Sequence, residues 1–318
     1  MKLLTKVENK DQNLSDEEIL ELLHIENNSS EFYRLIAASN RLSRDKFGKK
    51  AYVFAQIGVN AEPCPINCSF CSMGCEHYSL DDQWRKNEKD VQNEFARLQA
   101  QNINDFFLMT TADYPITQFV DMAGKIKPIL HEGQRFVANI GDFDLSGALA
   151  LKRAGITGVY HINRLREGKD TLAKPEMREQ TIEAAQQAGL ELYYCIEPIG
   201  PEHSYDELLV EIKRARDLKI PVMAVMRRIP VPGTPLFELG KIDACELTKI
   251  VAVTNLVVNP SRAMNVHEPI QMGLLAGVNQ LYAESGANPR DVTSETEQNR
   301  GFTPAKTWEM LFDAGLGR

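Results

Sequence analysis

Residues 175–196 read PEMREQTIEAAQQAGLELYYCI, a stretch that predicts one helix followed directly by one strand. Pro175 suits the first turn of a helix, because the backbone N–H groups of that turn have no partner within the helix. Gly189 is the residue expected just after a helix ends, and the apolar run 191–196 is typical of a buried strand. This part of the chain therefore has the helix-then-strand order of an α/β protein.

The same alternation continues along most of the chain. We predict eight strands, at residues 52–59, 105–110, 135–140, 158–162, 191–196, 222–226, 262–266 and 277–282. The helices predicted between them lie at residues 87–100, 116–130, 145–154, 175–188, 205–218, 243–257 and 269–275. Strands that alternate with helices form parallel sheets, and eight such units can close on themselves. The predicted fold class is α/β, a (β/α)8 TIM-type barrel, with an open doubly wound sheet as the alternative.

Helical patterns also precede and follow the predicted barrel. Residues 15–23, with Ser15 as the cap, and residues 30–47 both repeat apolar side chains at helical spacing. We therefore divide the chain into an N-terminal helical extension, residues 1–50, and a barrel, residues 51–318. Near the end we expect a turn-rich segment at 286–289 and a last helix that begins at Pro304.

Composition excludes several classes of protein. The 318 residues are 43% hydrophobic, which suits one large barrel or two average domains with a substantial core. A formal net charge of −8 argues against binding to nucleic acid or to an acidic membrane surface, since both favour clustered Lys and Arg. We find no signal peptide and no apolar run long enough to span a membrane. We therefore expect a cytoplasmic enzyme that acts on a small molecule.

Four of the six cysteines lie between Cys64 and Cys75, directly after the first predicted strand. Such crowding in a chain without an export signal favours a metal or cluster site over disulfides. Cys64, Cys68 and Cys71 can each hold one corner of an iron–sulfur cube and leave the fourth iron without a protein ligand. The alternative is a structural zinc site with Cys75 or His77 as fourth ligand, but zinc sites usually combine two separated ligand pairs.

This spacing, Cys-x3-Cys-x2-Cys with the aromatic Phe70 before the last cysteine, resembles the signature of the radical S-adenosylmethionine (SAM) superfamily. The resemblance implies a 4Fe–4S cluster on the three cysteines, whose open iron chelates SAM. It further implies reductive cleavage of SAM to a 5′-deoxyadenosyl radical, with an electron donor such as ferredoxin or flavodoxin. The difficult chemistry would thus be supplied by the cofactor.

From about residue 52 to the C-terminus, the chain resembles the biotin synthase branch of that superfamily. The resemblance is carried by LALKRAG at 149–155, by VYHIN at 159–163 and by IPVPGTPL at 229–236. It implies that SAM is contacted by Asp113, Asn163, Arg178, Ile199 and Val231. Arg178 would bind the SAM carboxylate through paired donors, or else it is a solvated helix residue. Leu165, Glu197 and Pro198 depart from the branch's pattern.

Biotin synthase carries a second cluster, which supplies sulfur and is held by three cysteines and one arginine. Cys195 and Arg262 match two of these positions, whereas the other two fall near Leu108 and Val137, which are apolar. That cluster therefore cannot be built in the same way. Cys75 and Cys195 remain as candidate ligands of another auxiliary cluster, and for Cys195 a purely structural role is equally open. Cys245, on a predicted outer helix, is expected to be a small buried hydrophobe.

Four further side chains are candidates for substrate binding: Arg227, Arg228, Arg262 and His267. Arg227 and Arg228 follow the sixth strand and His267 follows the seventh, so they should project at the catalytic face. Paired arginines there suggest an anionic substrate, either a small molecule or an acyl-carrying one. The alternative is an internal Arg–Glu salt bridge.

The leading hypothesis is a radical SAM enzyme that abstracts hydrogen from an unactivated C–H bond in cofactor biosynthesis. Sulfur insertion, as in biotin synthase or a lipoyl-synthase-type relative, is the first candidate reaction. A mutase or maturase similar to methylornithine synthase or the hydrogenase maturase is the second. A zinc-stabilised, non-catalytic binding protein is the alternative of another class. The sequence leaves a partner subunit open.

Overall fold

The computed structural model describes residues 2–9, 13–80, 82–267, 269–283 and 303–318. The predicted turn-rich segment at 286–289 lies outside these ranges. Eight parallel strands form a closed barrel, in which the first strand pairs with both the last and the second strand of the barrel. The predicted (β/α)8 TIM-type fold is therefore confirmed, and the open sheet is excluded.

The strands are, in chain order, Tyr52–Gly58 (β1), Asn60–Ala61 (β2), Trp84–Arg85 (β3), Asp105–Met109 (β4), Arg135–Asn139 (β5), Gly158–Tyr160 (β6), Glu191–Ile199 (β7), Val222–Arg227 (β8), Ala263–Val266 (β9) and Gln280–Ala283 (β10). The barrel order is β1-β10-β9-β8-β7-β6-β5-β4. The short β2 and β3 pair with each other, antiparallel, outside the barrel. All eight predicted strands are barrel strands, and among the described residues β2 and β3 are the strands that were not predicted.

The helices are Lys2–Glu8 (α1), Asp16–Leu23 (α2), Ser30–Phe47 (α3), Glu88–Gln99 (α4), Ile116–Ile126 (α5), Leu145–Arg153 (α6), Pro175–Gln187 (α7), Tyr205–Asp217 (α8), Ala244–Val258 (α9), Gln271–Leu275 (α10) and Pro304–Asp313 (α11). Ser15 caps α2 as predicted and forms a capping box with Glu18. The last helix begins at Pro304, also as predicted. Helix α1 was not predicted, because seven residues show too few turns for a clear periodicity.

The N-terminal helices pack against the outside of the barrel. Helix α2 contacts α8 and α9, and α3 contacts α9 and α10. Their apolar residues, including Phe32 and Leu35, belong to the same hydrophobic core as the barrel. Within the described residues, no helix is both long enough and apolar enough to cross a membrane.

A buried polar cluster closes the end of the barrel where the strands begin. Asp105, the first residue of β4, is fully buried and accepts hydrogen bonds from both Nη atoms of Arg262, at 2.6 and 2.7 Å. Gln280 Nε2 donates to the same carboxylate at 2.7 Å. This end is therefore filled, and any substrate must enter at the opposite rim, where parallel strands end and TIM barrels carry their active sites.

Candidate active site

The cysteine loop follows β1 and is folded by its own backbone. Cys64 N–H donates to the carbonyl of Met73 at 2.7 Å, and Cys75 N–H donates to the carbonyl of Cys64 at 3.1 Å. The Nε2 atom of His77 lies 3.1 Å from the carbonyl oxygen of Cys68 and 2.9 Å from that of Cys71. These bonds hold the loop in a compact turn and engage His77 with the backbone.

The three predicted thiols open into one cavity of about 430 Å³ at the strand-end rim. Cys64, Cys68 and Cys71 line it, whereas Cys75 is exposed and does not. Burial raises the pKa of Cys68 to about 12, so a metal centre here would have to displace a proton. Three thiols with no fourth cysteine among the residues that line this cavity fit a 4Fe–4S cluster with one open iron.

Arg178 lies on the cavity wall in a polar triad. Its Nη1 atom donates to Asp142 Oδ1 at 2.9 Å, and His161 Nε2 lies 3.0 Å from the same oxygen. Burial alone would raise the pKa of Asp142, but His161 and Arg178 lower it below its ordinary value. Burial lowers the pKa of His161. The Nε atom of Arg178 is buried and lies 3.6 Å from Glu167 Oε2, too far for a hydrogen bond, so the carboxylates of Asp142 and Glu167 both hold this guanidinium at the cavity wall.

Known proteins resemble this chain over nearly its whole length, although no family model matches it. It is 25% identical to the biotin synthase of Desulforudis audaxviator strain MP104C over 320 residues, covering 95% of this chain and 93% of that protein. The biotin synthase of Geobacter sulfurreducens is 24% identical, covering 96% and 94%. The chain is a radical SAM, biotin synthase-like enzyme.

Solved structures agree with this enzyme in fold. Methylornithine synthase superposes with a TM-score of 0.85 at 18% identity, covering 99% of this chain and 97% of that one. The FeFe-hydrogenase maturase HydG from Carboxydothermus hydrogenoformans gives a TM-score of 0.81 at 19% identity, covering 99% and 78%. At such low identity these likenesses concern the barrel and not the reaction.

Of the other predicted cofactor and substrate residues of this radical SAM enzyme, Phe70 and His267 line the cavity together with Arg178. Asp113, Asn163, Ile199 and Val231 do not. Asp113 is exposed, one residue beyond the cavity-lining Ala112. The side-chain amide of Asn163 points to α7, where its Nδ2 atom lies 3.4 Å from Glu179.

The structure places the three predicted substrate arginines outside the cavity lining. Arg262 is bonded to Asp105 at the closed end of the barrel, as described above. Arg228 is almost fully buried, and its Nη2 atom donates to Glu202 at 3.0 Å and to the carbonyl of Gly240 at 2.9 Å. Arg227 donates to the carbonyl of Ile242 at 3.1 Å. For Arg228 the internal Arg–Glu salt bridge is the correct alternative, and none of the three lines the cavity.

The two candidate auxiliary thiols lie in different surroundings. Cys75 is exposed on the loop, whereas Cys195 is fully buried inside the barrel, where burial raises its pKa well above the ordinary value. Cys245 is half-buried, and its Sγ lies 3.5 Å from Asn28 Oδ1. The residues of β4 that face the cavity are Phe107 and Met109, so this strand offers the cavity no thiol.

Several cavity residues were not predicted. Tyr160, Arg164 and Glu197 line the cavity, and Tyr160 donates its hydroxyl to Glu197 Oε2 at 2.8 Å. Arg164 Nε lies 3.3 Å from Glu197 Oε1. Although burial opposes it, Glu197 and Cys68 hold the pKa of Arg164 above its ordinary value. For Glu197 the signal was present in the sequence, because it is an acidic residue in the apolar run 192–199; Arg164 lies in a polar segment after β6 and gave no such signal.

Proposed function

We propose that Cys64, Cys68 and Cys71 hold a 4Fe–4S cluster and that the enzyme binds SAM in the adjoining cavity, as its radical SAM relatives imply. It then abstracts hydrogen from an unactivated C–H bond of a small-molecule substrate. When bound, the cluster supplies the electron that cleaves SAM. The observation that carries the proposal is that three thiols from one loop open into a single cavity at the strand-end rim.

Arg178 is proposed to receive the carboxylate of SAM. Its hydrogen bond to Asp142 fixes the guanidinium, and a fixed fork of donors matches the two oxygens of a carboxylate. Because the side chain is buried, the interaction would be little screened by solvent. Thr110, Thr111 and Gly141 line the same cavity as Arg178.

Aromatic rings form the base of the cavity and are proposed to keep water away from the radical. Phe54 packs on Phe107 and Tyr282, with ring centroids 4.6 and 4.8 Å apart, and all three line the cavity. Above them Glu197, Arg164 and His267 supply polar contacts. A mixed apolar and charged lining suits a small polar substrate better than a long acyl chain.

Sulfur insertion is the less favoured reaction. It requires a sulfur source, and the two candidate thiols are divided between the surface, Cys75, and the barrel interior, Cys195. Hydrogen abstraction without a sulfur-donating cluster is therefore our first proposal. We further propose a cytoplasmic location, where thiols stay reduced, and a ferredoxin- or flavodoxin-type electron donor, because the electron must come from outside the chain.

The proposal is tested by anoxic reconstitution followed by reduction in the presence of SAM. We expect 5′-deoxyadenosine from the parent chain and from a Cys245→Ala control, since Cys245 lies on α9 away from the cavity. Cys68→Ala should form none. Full SAM cleavage by Cys68→Ala, or zinc as the only metal found, would overturn the proposal. Deuterium transfer from candidate substrates into 5′-deoxyadenosine then identifies the substrate.

A further inference from the structure

Three side chains of different metal-binding chemistry meet inside the barrel, apart from the cysteine loop. One ligand atom from each of Cys195, Glu197 and His267 lies within 4.8 Å of the other two. The Sγ atom of Cys195 and the Nδ1 atom of His267 are 3.9 Å apart. Four donors placed tetrahedrally at zinc-ligand distances of ~2.0–2.3 Å are about 3.5 Å from one another. The thiol–imidazole separation is thus a few tenths of an ångström wider than that between two ligands of one zinc ion, so a small shift of the side chains would complete the site.

Strand register brings these donors together. Cys195 and Glu197 are alternate residues of β7, and alternate residues point to the same face of a strand. Cys195 pairs with Ala224 of β8, and Ala224 pairs with Asn265 of β9, two residues before His267. Because Ala224 is small, it leaves space between β7 and β9 for the thiol and the imidazole to meet.

The carboxylate is held in place by two further groups. The hydroxyl of Tyr160 donates to Glu197 Oε2, and the guanidinium of Arg164 lies beside Glu197 Oε1. Groups that hydrogen-bond to a ligating side chain in this way orient it toward its metal. Arg164 balances the charge of Glu197, and a divalent ion would balance the second negative charge that Cys195 gains when it loses its proton on metal binding.

We propose that Cys195, Glu197 and His267 bind one divalent transition-metal ion, with zinc as the metal that best matches the donors. Thiolate, imidazole and carboxylate are all zinc ligands, and three protein ligands leave the fourth position open, as in catalytic zinc sites. On binding, the thiol proton of Cys195 is released to solvent. Glu197 and His267 line the cavity, so the open position faces it and accepts a nitrogen or oxygen of the substrate. This site goes beyond the cluster function proposed above and does not depend on it.

Cobalt(II) is the probe, because it replaces zinc and gives a sulfur-to-cobalt charge-transfer band when a thiolate binds it. The full chain, with its cluster reconstituted, is incubated with cobalt under anoxic conditions, desalted and analysed for metals. We expect about one cobalt per chain with the charge-transfer band, and zinc should displace it. Cys195→Ser should abolish the band, and His267→Gln should weaken cobalt binding by at least about tenfold.

Cys245→Ser is the matched control and should behave like the parent chain. His267 is only half-buried, so His267→Gln keeps the test valid if Cys195→Ser fails to fold. The absence of bound cobalt in the parent, or a band unchanged in both site variants, would overturn the inference. SAM cleavage measured on the same samples separates the two proposals: cleavage without cobalt binding refutes only the metal site, and cobalt binding without cleavage refutes only the cluster function.

Discussion

Replacing Arg262 with Met should destabilise the barrel and leave the SAM site intact. Asp105 is fully buried, and Arg262 supplies its counter-charge through two short hydrogen bonds. Methionine keeps apolar packing against the ring of Tyr52, over which the guanidinium lies in the parent chain. It leaves the buried carboxylate of Asp105 without a counter-charge. Breaking a buried ion pair by removing one partner costs about 3–5 kcal/mol. We expect the lower end, because Gln280 still donates to Asp105.

A loss of about 3 kcal/mol should lower the midpoint of thermal unfolding by about 6 °C, since a chain of this size shifts by ~2 °C per kcal/mol. Circular dichroism during heating and urea titration measures both quantities. Adding Asp105→Asn to Arg262→Met removes the unpaired buried charge, so the free energy of unfolding should recover by at least about 1 kcal/mol. If Arg262→Met unfolds at the same temperature as the parent but loses substrate binding, the structural role of the Arg262–Asp105 pair is refuted. Arg262 would then be a substrate-binding residue, as the sequence first suggested.

Three other predictions follow from the same contacts. Arg178→Lys should raise the KM for SAM about tenfold or more, because an ammonium cannot form the paired bonds of a guanidinium; an unchanged KM in 5′-deoxyadenosine assays would remove Arg178 from the cofactor site. Arg228→Met should lower the unfolding midpoint with no change in that KM; the reverse pattern would contradict a structural role. The hydrogen bond from Arg166 lowers the pKa of Glu207 from 4.5 to about 2, so its stabilising contribution is present above pH 4.5 and is lost as the pH falls toward 2. Urea midpoints of Glu207→Gln and the parent should therefore differ at pH 6 and converge near pH 2; a constant difference would contradict the pKa assignment.

The fold could be predicted because its signals are local. The pattern of a helix, a glycine and an apolar strand recurs along the chain. Each helix–strand unit can be recognised within about thirty residues. The cysteine loop could be predicted for the same reason, because Cys64, Cys68 and Cys71 lie within eight residues of one another in the sequence, directly after one strand. Helix α1 was missed because it is too short to show a clear periodicity, and its packing against α3 is not visible in the local sequence.

The polar network could not be predicted, because its partners are far apart in sequence. Arg262 and Asp105 are 157 residues apart, and the pattern around Arg262 does not say toward which end of the barrel it points. Similarly, the approach of Cys195 to His267 depends on the register of β7, β8 and β9, which is set by packing of the whole barrel. The sequence therefore named Arg228 and Arg262 as substrate residues but could not show that their partners are the carboxylates of Glu202 and Asp105.

The most direct test of the central claim is the electron paramagnetic resonance spectrum of the reduced, anoxically reconstituted chain, recorded with and without SAM. We predict the signal of one reduced 4Fe–4S cluster, with about four iron atoms per chain, and a clear change in that signal when SAM is added. A chain without such a signal, or a signal indifferent to SAM, would contradict a cluster whose open iron faces the cavity.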